Sequence, residues 1–420
     1  YSRNDSPDKF IEVFSAGEGT IGTERLRSDD LLQTSMESPV TQLVNLILLE
    51  AVKHGASDVH LEPFESRLRV RYRVDGVLRE RSSPPKHLSE ALISRVKIMA
   101  HMDIAEKRLP QDGTARVRVG EREIDIRVST VPVAEGERVV MRLLDRNASL
   151  LSLAELGMAE GMKDKVMEFL AEPHGMIVVC GPTGSGKTTT LYAALSHLDA
   201  SKRNIITIED PIEYKLPNVG QIQVRPKIGL TFAGGLRHVL RQDPDVILVG
   251  ETRDLETAEI AVRASLTGHL VFTTLHTNDA PGAVIRLVDI GMDGYLIASC
   301  LKAVLAQRLV RKLCSKCRTR IPENEISNDR LREGVREGMF WIQKDVGCDE
   351  CTDGFKGRTG IFELMSVTDE IRSMIRKGGS GLDDIRPIAE RNGMVNLISD
   401  GAEKARAGIT TMAEVLSATK

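Results

Sequence analysis

The sequence predicts an α/β protein in which a parallel sheet is preceded by a smaller α+β domain. Four compact apolar segments alternate with helical patterns in the middle of the chain, at residues 176–180, 205–208, 245–250 and 270–275. Continuous apolar strands separated by helices are typical of a parallel sheet that is covered on both faces. Upstream, residues 66–81 alternate between polar and apolar side chains, which predicts a half-buried strand and hairpin. The two patterns indicate two kinds of domain.

The composition excludes several classes of protein. At 420 residues the chain is too long for one compact core, and we expect two or three domains. A net charge of −3 argues against a protein that lives wrapped on nucleic acid. The longest apolar segment, residues 43–52, is too short to span a membrane and is interrupted by Asn45 and Glu50. No signal peptide is visible.

The first part of the chain contains the elements of the small domain. Residues 1–37 are polar and irregular, and we expect a flexible arm or linker. Helical periodicity starts near Pro39, and Asp75-Gly76 is a hairpin turn signal. A helix and three strands are then predicted, at residues 88–102, 115–119, 123–129 and 137–144. Residues 38–146 are therefore predicted to form a small α+β domain.

The alternating strand places its arginines on one side. Arg67, Arg69, Arg71 and Arg73 point one way, and the apolar residues between them point the other way. Two interpretations stay open for these arginines. They form either a solvated face or a surface directed at an interface or a phosphate.

Each apolar segment of the middle region is followed by residues that suit a ligand site. A glycine-rich loop follows Cys180, Glu209 and Asp210 follow Ile208, Glu251 follows Gly250, and His276 follows Leu275. In open α/β sheets, ligands bind outside the carboxyl ends of the strands. We therefore expect these groups to share one edge of the sheet.

The loop at residues 181–190, GPTGSGKTTT, matches the phosphate-binding pattern G-x-x-x-x-G-K-[ST]. Glycines let backbone N–H groups surround phosphates, and the start of the following helix adds positive potential. Lys187 is expected to reach the β- and γ-phosphate oxygens, and the Thr188 hydroxyl to bind Mg²⁺. The predicted nucleotide-binding residues are Gly181, Pro182, Thr183, Gly184, Ser185, Gly186, Lys187, Thr188 and Thr189.

Hydrolysis of a nucleotide also requires a group that orients the attacking water. Nucleotide-hydrolysing proteins commonly end the relevant strand with an aspartate, but here Gly250 stands in that place. Glu251 follows and is the first candidate for polarising water, with Glu209 as the second. The alternative is that both are ordinary carboxylates that cap the next helix.

Three further side chains have open assignments. Arg237 and Arg241 lie four residues apart on a predicted helical face, either as phosphate sensors or as surface ion-pair partners. His276 is either a structural histidine or a functional one, since it ends a strand beside the predicted phosphate site.

Two C-x-x-C pairs predict a metal site. Cys314 and Cys317 are separated by 30 residues from Cys348 and Cys351, and each pair suits half of a tetrahedral zinc site. Disulfides or redox chemistry are the alternatives. A site of four cysteines has no open position, so the metal is expected to be structural. Nearby basic residues either offset the thiolate charge or bind acidic lipid headgroups: Arg311, Lys312, Lys316, Arg318 and Arg320.

Several motifs resemble the secretion ATPase superfamily that drives type II secretion and type IV pili. The glycine-rich loop, IITIEDPIEY, RQDPDVILVGETRD and ASLTGHLVFTTLHTN resemble its four signature segments, in the same order. Upstream, GASDVHLEP, RLPQDG and IDIRVSTVPVAEGERVVMRLL resemble the domain that precedes the ATPase domain in these motors. The paired C-x-x-C insert is similar to that of the assembly and secretion branch. The resemblance runs from about residue 38 to the end of the chain.

The resemblance implies a RecA-like P-loop ATPase domain, a smaller N-terminal α+β domain and a C-terminal helical region bearing a Cys₄ metal subdomain. It divides the chain into an arm, the small domain, the ATPase domain, the zinc subdomain and the helical region, at residues 1–37, 38–146, 147–313, 314–355 and 356–420. Six copies are expected to form a ring.

The resemblance also implies that arginines of the smaller domain complete the nucleotide site. Arg127 is the best match, followed by Arg142. Many members have arginine after QDG, whereas this chain has Thr114 there and Arg116 two residues later. Thr252 stands where the family more often has an apolar residue.

The function implied by the resemblance is ATP hydrolysis with Mg²⁺, coupled to assembly of a pseudopilus and protein export by type II secretion. Such a motor would be cytoplasmic and peripheral at the inner membrane, where it would contact a platform protein and acidic phospholipids. A type IV pilus extension ATPase is the alternative within the family. A nucleic-acid-translocating ATPase is the alternative from another class, and the aromatic content of 4% argues against it because few rings are present for base stacking.

Overall fold

The computed structural model of the protein describes residues 38–120, 122–145, 150–322, 339–344, 346–378 and 384–420. The arm predicted at residues 1–37 lies outside the described residues. The chain folds as two compact units, of which the first ends at Ser149 and the second begins at Leu150.

The first unit is an α+β structure. Its helices and strands are α1 (Pro39–Lys53), β1 (Ala56–Pro63), β2 (Leu68–Val74), β3 (Val77–Ser82), α2 (Ser89–Met99), β4 (Gln111–Val119), β5 (Arg122–Val133) and β6 (Gly136–Asp145). In the described residues the strands form one antiparallel sheet in the order β3-β2-β1-β6-β5-β4. The predicted hairpin turn is confirmed, with positive φ angles of 50° at Asp75 and 87° at Gly76.

One face of this sheet packs against the two helices, and the other face is charged. Tyr72 of β2 is fully buried against α1, and its hydroxyl donates a hydrogen bond to the Ile47 carbonyl at 2.8 Å. On the opposite face, the Glu62 carboxylate lies 2.9 Å from Arg69, 2.6 Å from Arg71 and 2.7 Å from Arg138. The arginines of β2 therefore belong to an ion-pair network on a partly exposed face of the sheet.

The second unit contains the predicted parallel sheet. Its elements are α3 (Glu160–Ala171), β7 (Gly175–Cys180), α4 (Lys187–Leu195), β8 (Ile205–Glu209), β9 (Gly220–Gln223), α5 (Phe232–Val239), β10 (Val246–Val249), α6 (Leu255–Leu266), β11 (Leu270–Leu275), α7 (Ala280–Asp289), α8 (Gly294–Cys300), β12 (Leu301–Leu313), β13 (Thr319–Pro322), β14 (Met339–Ile342), β15 (Phe355–Ser366), α9 (Asp369–Lys377), α10 (Ile385–Arg391), α11 (Leu397–Arg406) and α12 (Met412–Thr419).

The sheet of the second unit has the order β15-β12-β7-β11-β10-β8-β9 among the described residues. The four apolar segments predicted as strands are β7, β8, β10 and β11, and they pair in parallel. Each is buried along its whole length, with apolar clusters on both faces of the sheet. The predicted α/β fold is thus confirmed, and the carboxyl ends of the four strands meet at one edge.

The region from residue 356 differs from the helical region that the resemblance implies. It begins with β15, which pairs in antiparallel fashion with β12 from Ala303 to Leu313. Burial of Ile361 and Phe362 in this strand explains why it extends the sheet. The helices α9 to α12 follow it. Among the helices that the structure describes, none has the length and apolar character needed to cross a membrane.

Candidate functional site

The glycine-rich loop joins β7 to α4 and has the backbone of a phosphate cradle. Gly181, Gly184 and Gly186 have φ angles of 150°, 79° and 88°, which disfavour residues with a side chain. A Cβ at Gly181 would lie 2.5 Å from the carbonyl oxygen of Gln307, and one at Gly186 would lie 2.8 Å from its side-chain nitrogen. The loop is therefore closely packed on the β12 side, and its glycines are required by both conformation and space.

The groups in the loop fit a polyanion. The Lys187 ammonium donates hydrogen bonds to the carbonyls of Gly181 at 2.7 Å and Pro182 at 3.1 Å. Phosphate oxygens could replace these carbonyls as acceptors. Burial lowers the pKa of Lys187, and the negative charge of Glu251 opposes that shift. The buried hydroxyl oxygen of Ser185 has no hydrogen-bond partner in the described part of the chain.

Glu251 lies at the same sheet edge as the loop. One carboxylate oxygen is 2.7 Å from Nη2 of Arg253, and the other is 3.6 Å from Nε2 of His276. Its side chain is 13% exposed, so the carboxylate is partly accessible, and its charge opposes the lowering of the pKa of Lys187 in the loop. Burial and the positive charge of Lys187 lower the pKa of His276. The arrangement can orient water next to a phosphate-binding cation.

The absence of an aspartate at the end of β10 has a steric cause. A Cβ at Gly250 would lie 3.1 Å from the Ile208 carbonyl oxygen and 3.2 Å from the Glu209 Cα. Both neighbours are backbone atoms, which cannot move without disturbing β8. A residue with a side chain at Gly250 would therefore require the backbone of β8 to shift by a few tenths of an ångström, which favours glycine at this position.

Three threonines hold this turn, of which the sequence analysis singled out Thr252 without a role and missed the other two. The hydroxyls of Thr252 and Thr273 form a buried hydrogen bond of 2.7 Å, and the Thr252 amide donates to the Thr274 carbonyl at 3.1 Å. The Thr274 hydroxyl donates to the Gly250 carbonyl at 2.6 Å. These bonds attach the residues on both sides of Glu251 to β11. The available signal was Thr252 itself, at a position where an apolar residue is more usual.

Glu209, the second candidate for polarising water, is placed differently. It is 3% exposed and accepts hydrogen bonds from the hydroxyls of Tyr192 and Thr207 and, at 3.2 Å, from the side-chain amide of Gln221. Burial and the Glu209 charge raise the pKa of Tyr192, which keeps its hydroxyl protonated as a donor. The carboxylate oxygens of Glu209 therefore accept hydrogen bonds from buried groups of the protein. The geometry favours Glu251 as the residue that orients the water.

Arg237 lies on the exposed side of α5, and Arg241 lies in the turn that follows this helix, so the predicted helical face does not extend to Arg241. The Arg237 guanidinium is 2.6 Å from the Glu256 carboxylate. Of the two alternatives for Arg237, this contact supports the surface ion pair. Arg241 donates to the Arg237 carbonyl at 2.9 Å and contacts His238. A role of Arg237 and Arg241 as phosphate sensors stays a prediction.

The arginines predicted to complete the site share one face of the sheet in the first unit. Arg127 on β5 pairs across strands with Thr114 on β4 and with Arg142 on β6. Arg142 lies 3.0 Å from the Asp58 carboxylate, and Arg116 lies 2.9 Å from that of Asp125. Arg116 therefore lies two residues along the same strand face as Thr114.

The four cysteines of the C-x-x-C pairs come together in the second unit. Their sulfur atoms all lie within 4.8 Å of one another, with separations of 3.7 Å for Cys314 and Cys348 and 3.6 Å for Cys317 and Cys351. A tetrahedral zinc ion with Zn–S bonds of about 2.3 Å separates its sulfurs by about 3.8 Å. Disulfide sulfurs would be about 2.05 Å apart. The cluster therefore fits a closed tetrahedral metal.

The remaining cysteines are core residues, as predicted. Cys180 and Cys300 are buried, and burial raises the pKa of Cys180 to about 12 and that of Cys300 to about 11. Both are therefore neutral thiols at physiological pH.

Comparisons with known proteins agree with the resemblance predicted from the motifs. The model of a family described as Type II/IV secretion system protein matches residues 33–417. Type II secretion system protein HxcR of Pseudomonas aeruginosa is 52% identical over 414 residues, which cover 97% of this chain and 84% of that protein. Type II secretion system ATPase E of Vibrio cholerae is 50% identical over 402 residues, which cover 96% of this chain and 79% of that protein.

A solved structure has a similar fold. The crystal structure of the pilus retraction motor PilT with bound ADP matches with a TM-score of 0.58 and 28% identity. The match covers 89% of this chain and 95% of that one.

Proposed function

The chain belongs to the Type II/IV secretion system protein family, and we propose that it hydrolyses ATP in a Mg²⁺-dependent reaction that drives pseudopilus assembly and protein export by a type II secretion system. The names of relatives that are about half identical over nearly the whole chain support the type II system. The ADP bound to the related pilus motor supports an adenine nucleotide.

The observation that carries this proposal is the meeting of a buried lysine and an accessible glutamate at one sheet edge. Lys187 lies inside the glycine cradle, and the Glu251 charge acts on it. The backbone of Gly181 to Thr189 would receive the phosphates, and Lys187 would stabilise charge on the transferred phosphoryl group. Mg²⁺, held in part by Thr188, would supply further positive charge to the phosphate oxygens.

Glu251 would orient the attacking water. Its accessible carboxylate is placed by Arg253 and by the threonine bonds to β11, which reduces the entropy lost when water is aligned. His276 would accept or donate a hydrogen bond at the same site. Glu209 would support the site indirectly, through Tyr192 of the cradle helix.

Arginines would complete the charge around the nucleotide. Arg127, Arg116 and Arg142 share one charged strand face of the first unit, which suits a role opposite a polyanion. Arg237 on α5 and Arg241 in the turn after it are exposed, and both are proposed to act as phosphate sensors.

The Cys₄ cluster would hold a structural zinc ion. Cys314 and Cys317 follow β12, and Cys348 and Cys351 precede β15, so the metal would join the ends of two paired strands. All four ligand positions would be filled by thiolates, which leaves the metal no catalytic role.

The working assembly is proposed to be a ring of six copies at the cytoplasmic side of the inner membrane. A membrane platform protein would receive the motion of the ring. Exposed basic residues beside the Cys₄ cluster, such as Lys316 and Arg320, would suit acidic phospholipids.

Steady-state ATP turnover with and without Mg²⁺ tests the enzymatic part of the proposal. Lys187→Ala should reduce turnover by about 10²-fold or more, since it removes the cation of the cradle. Lys202→Ala is the matched control, because Lys202 is 81% exposed and pairs only with a surface carboxylate in the described chain. Full turnover by Lys187→Ala would refute the phosphate assignment.

The cellular system is tested by recovery of partners from membranes with the intact protein. Capture of type II secretion components supports the proposal, and capture of type IV pilus components supports the pilus extension alternative. Turnover that is stimulated by single-stranded DNA would instead favour a nucleic-acid-translocating ATPase.

A further inference from the structure

Arg308 on β12 is a buried cation whose hydrogen bonds go to carbonyl oxygens. The residue is 7% exposed. Its Nε donates to the Ala418 carbonyl at 3.1 Å, and its Nη1 donates to the Gln307 carbonyl at 3.1 Å. Its Nη2 donates to Asn278 twice, to the backbone carbonyl at 2.8 Å and to Oδ1 at 3.2 Å. Because a guanidinium is a rigid planar fork of donors, these bonds fix three segments relative to one another.

The segment that contains Asn278 also contains His276. It is the turn that joins β11 to α7. At the α7 end, Asp279 caps the helix by accepting from the Gly282 amide at 2.7 Å, and it pairs with Arg386 at 3.0 Å. At the β11 end, His276 faces the Glu251 carboxylate. Arg308 binds the turn between these two ends, at Asn278, which is two residues after His276 in the chain.

The neighbouring residue of β12 contacts the cradle itself. The side-chain oxygen of Gln307 accepts a buried hydrogen bond of 2.7 Å from Thr190 on α4. Consecutive residues of one strand therefore contact the phosphate loop and the turn after β11. Burying a guanidinium costs free energy, which a purely apolar packing residue would avoid.

We propose that Arg308 is a positioning residue for hydrolysis, which holds the 276–279 turn so that His276 stays against Glu251. It does so by tying this turn, through Asn278, to the last turn of the C-terminal helix α12. The inference rests on the proposed ATPase function and adds a residue that acts on the site without contacting the nucleotide.

A double-mutant cycle in the full-length protein tests this role. Arg308→Lys keeps the charge but cannot reproduce the fork, and we expect kcat to fall about tenfold with KM for ATP nearly unchanged. In a His276→Ala background, Arg308→Lys should cause no further loss, because the side chain that it positions is gone. Arg263→Lys is the control and should keep the wild-type kcat, since Arg263 is 74% exposed and pairs with Glu259 of the same helix, α6, at 3.5 Å.

Several outcomes would overturn the inference. One is a further loss of kcat when Arg308→Lys is added to His276→Ala, and another is an effect on KM alone. An equal loss of kcat in Arg263→Lys or a wild-type kcat in His276→Ala would also contradict it. If Arg308→Lys does not fold, Asn278→Ala replaces it, because Asn278 is exposed and its change removes one acceptor of the fork. A smaller fall in kcat that disappears in the His276→Ala background supports the role, and an unchanged kcat contradicts it. Failure of the wild-type protein to hydrolyse ATP would refute the proposed function, whereas normal wild-type turnover with multiplying losses would refute only the role of Arg308.

Discussion

Nε2 of His276 lies 3.6 Å from Oε2 of Glu251, although 24 residues separate them in the chain. The two residues follow β10 and β11, which are adjacent and parallel. The other carboxylate oxygen of Glu251 faces the Arg253 guanidinium. The carboxylate proposed to orient water therefore lies between a permanent cation and an imidazole whose pKa is lowered by burial and by Lys187.

Glu251→Gln should abolish most ATP turnover while leaving nucleotide binding intact. The amide keeps the shape of the side chain but cannot polarise water, so we expect kcat to fall by about 10²- to 10⁴-fold with little change in KM. Steady-state kinetics and binding of a fluorescent ATP analogue measure the two effects. Glu256→Gln serves as the control, since its carboxylate is 60% exposed and pairs with Arg237. Turnover equal to that of an active wild-type protein would refute the role of Glu251, whereas the absence of turnover in both proteins would indicate a nucleotide-binding scaffold.

The His276 imidazole should titrate below its usual pKa of 6.5, because burial, Lys187 and Arg253 all disfavour its charged form. Nuclear magnetic resonance of the ring protons measures this value. Removing the Arg253 charge in Arg253→Gln should raise the pKa, and removing the Glu251 charge in Glu251→Gln should lower it. Shifts in the opposite directions would contradict the arrangement.

The titration of His276 also makes the free energy of unfolding depend on pH. Because the pKa of His276 is lower in the folded protein, the unfolded chain binds this proton more readily. The contribution of His276 to stability is therefore fully present above pH 6.5 and is lost as the pH falls through the folded-state pKa. His276→Asn should flatten this part of the dependence of the unfolding free energy on pH.

The buried pair of Thr252 and Thr273 should show strong coupling. Thr252→Val leaves the Thr273 hydroxyl without its partner, and we expect a loss of about 1–3 kcal/mol in the free energy of unfolding. Replacing both residues with valine should restore most of the stability, because no buried hydroxyl is then left unpaired. Chemical denaturation of the two single variants and the double variant measures the coupling. Additive losses would show that the hydroxyl pair has no specific role.

The Cys₄ cluster should hold about one zinc ion per chain. Cys351→Ala should prevent metal binding and lower the melting temperature, since the ion would join the ends of β12 and β15. Cys300→Ala is the control, because Cys300 is buried away from the cluster and should leave the metal content unchanged. Elemental analysis and thermal melts check both variants. Metal-free protein with oxidised cysteine pairs in a cytosolic extract would refute the zinc assignment.

Much of the candidate site was readable before the fold was known. The glycine pattern of residues 181–188 identifies a phosphate cradle because its chemistry depends on neighbours in sequence. The four apolar strands were recognisable from their length and from the polar residues that follow each of them. Parallel strands place their carboxyl ends at one edge of the sheet. Glu251 and the cysteine pairs followed from these local patterns.

The sequence by itself thus determined the fold class, the glycine-rich loop, the two cysteine pairs and the polar residues that follow the strands, because each depends on spacing along the chain. The binding of phosphate and of metal by these residues stays a prediction. Only the tertiary structure decided that Glu209 accepts a hydrogen bond from Tyr192, that a side chain at Gly250 would crowd the backbone of β8, and that Arg308 donates to the turn that contains His276. These facts depend on contacts between residues far apart in sequence, whose pairing is set by side-chain packing across the sheet. Periodicity records which face of an element is buried, but it does not record which partner that face meets.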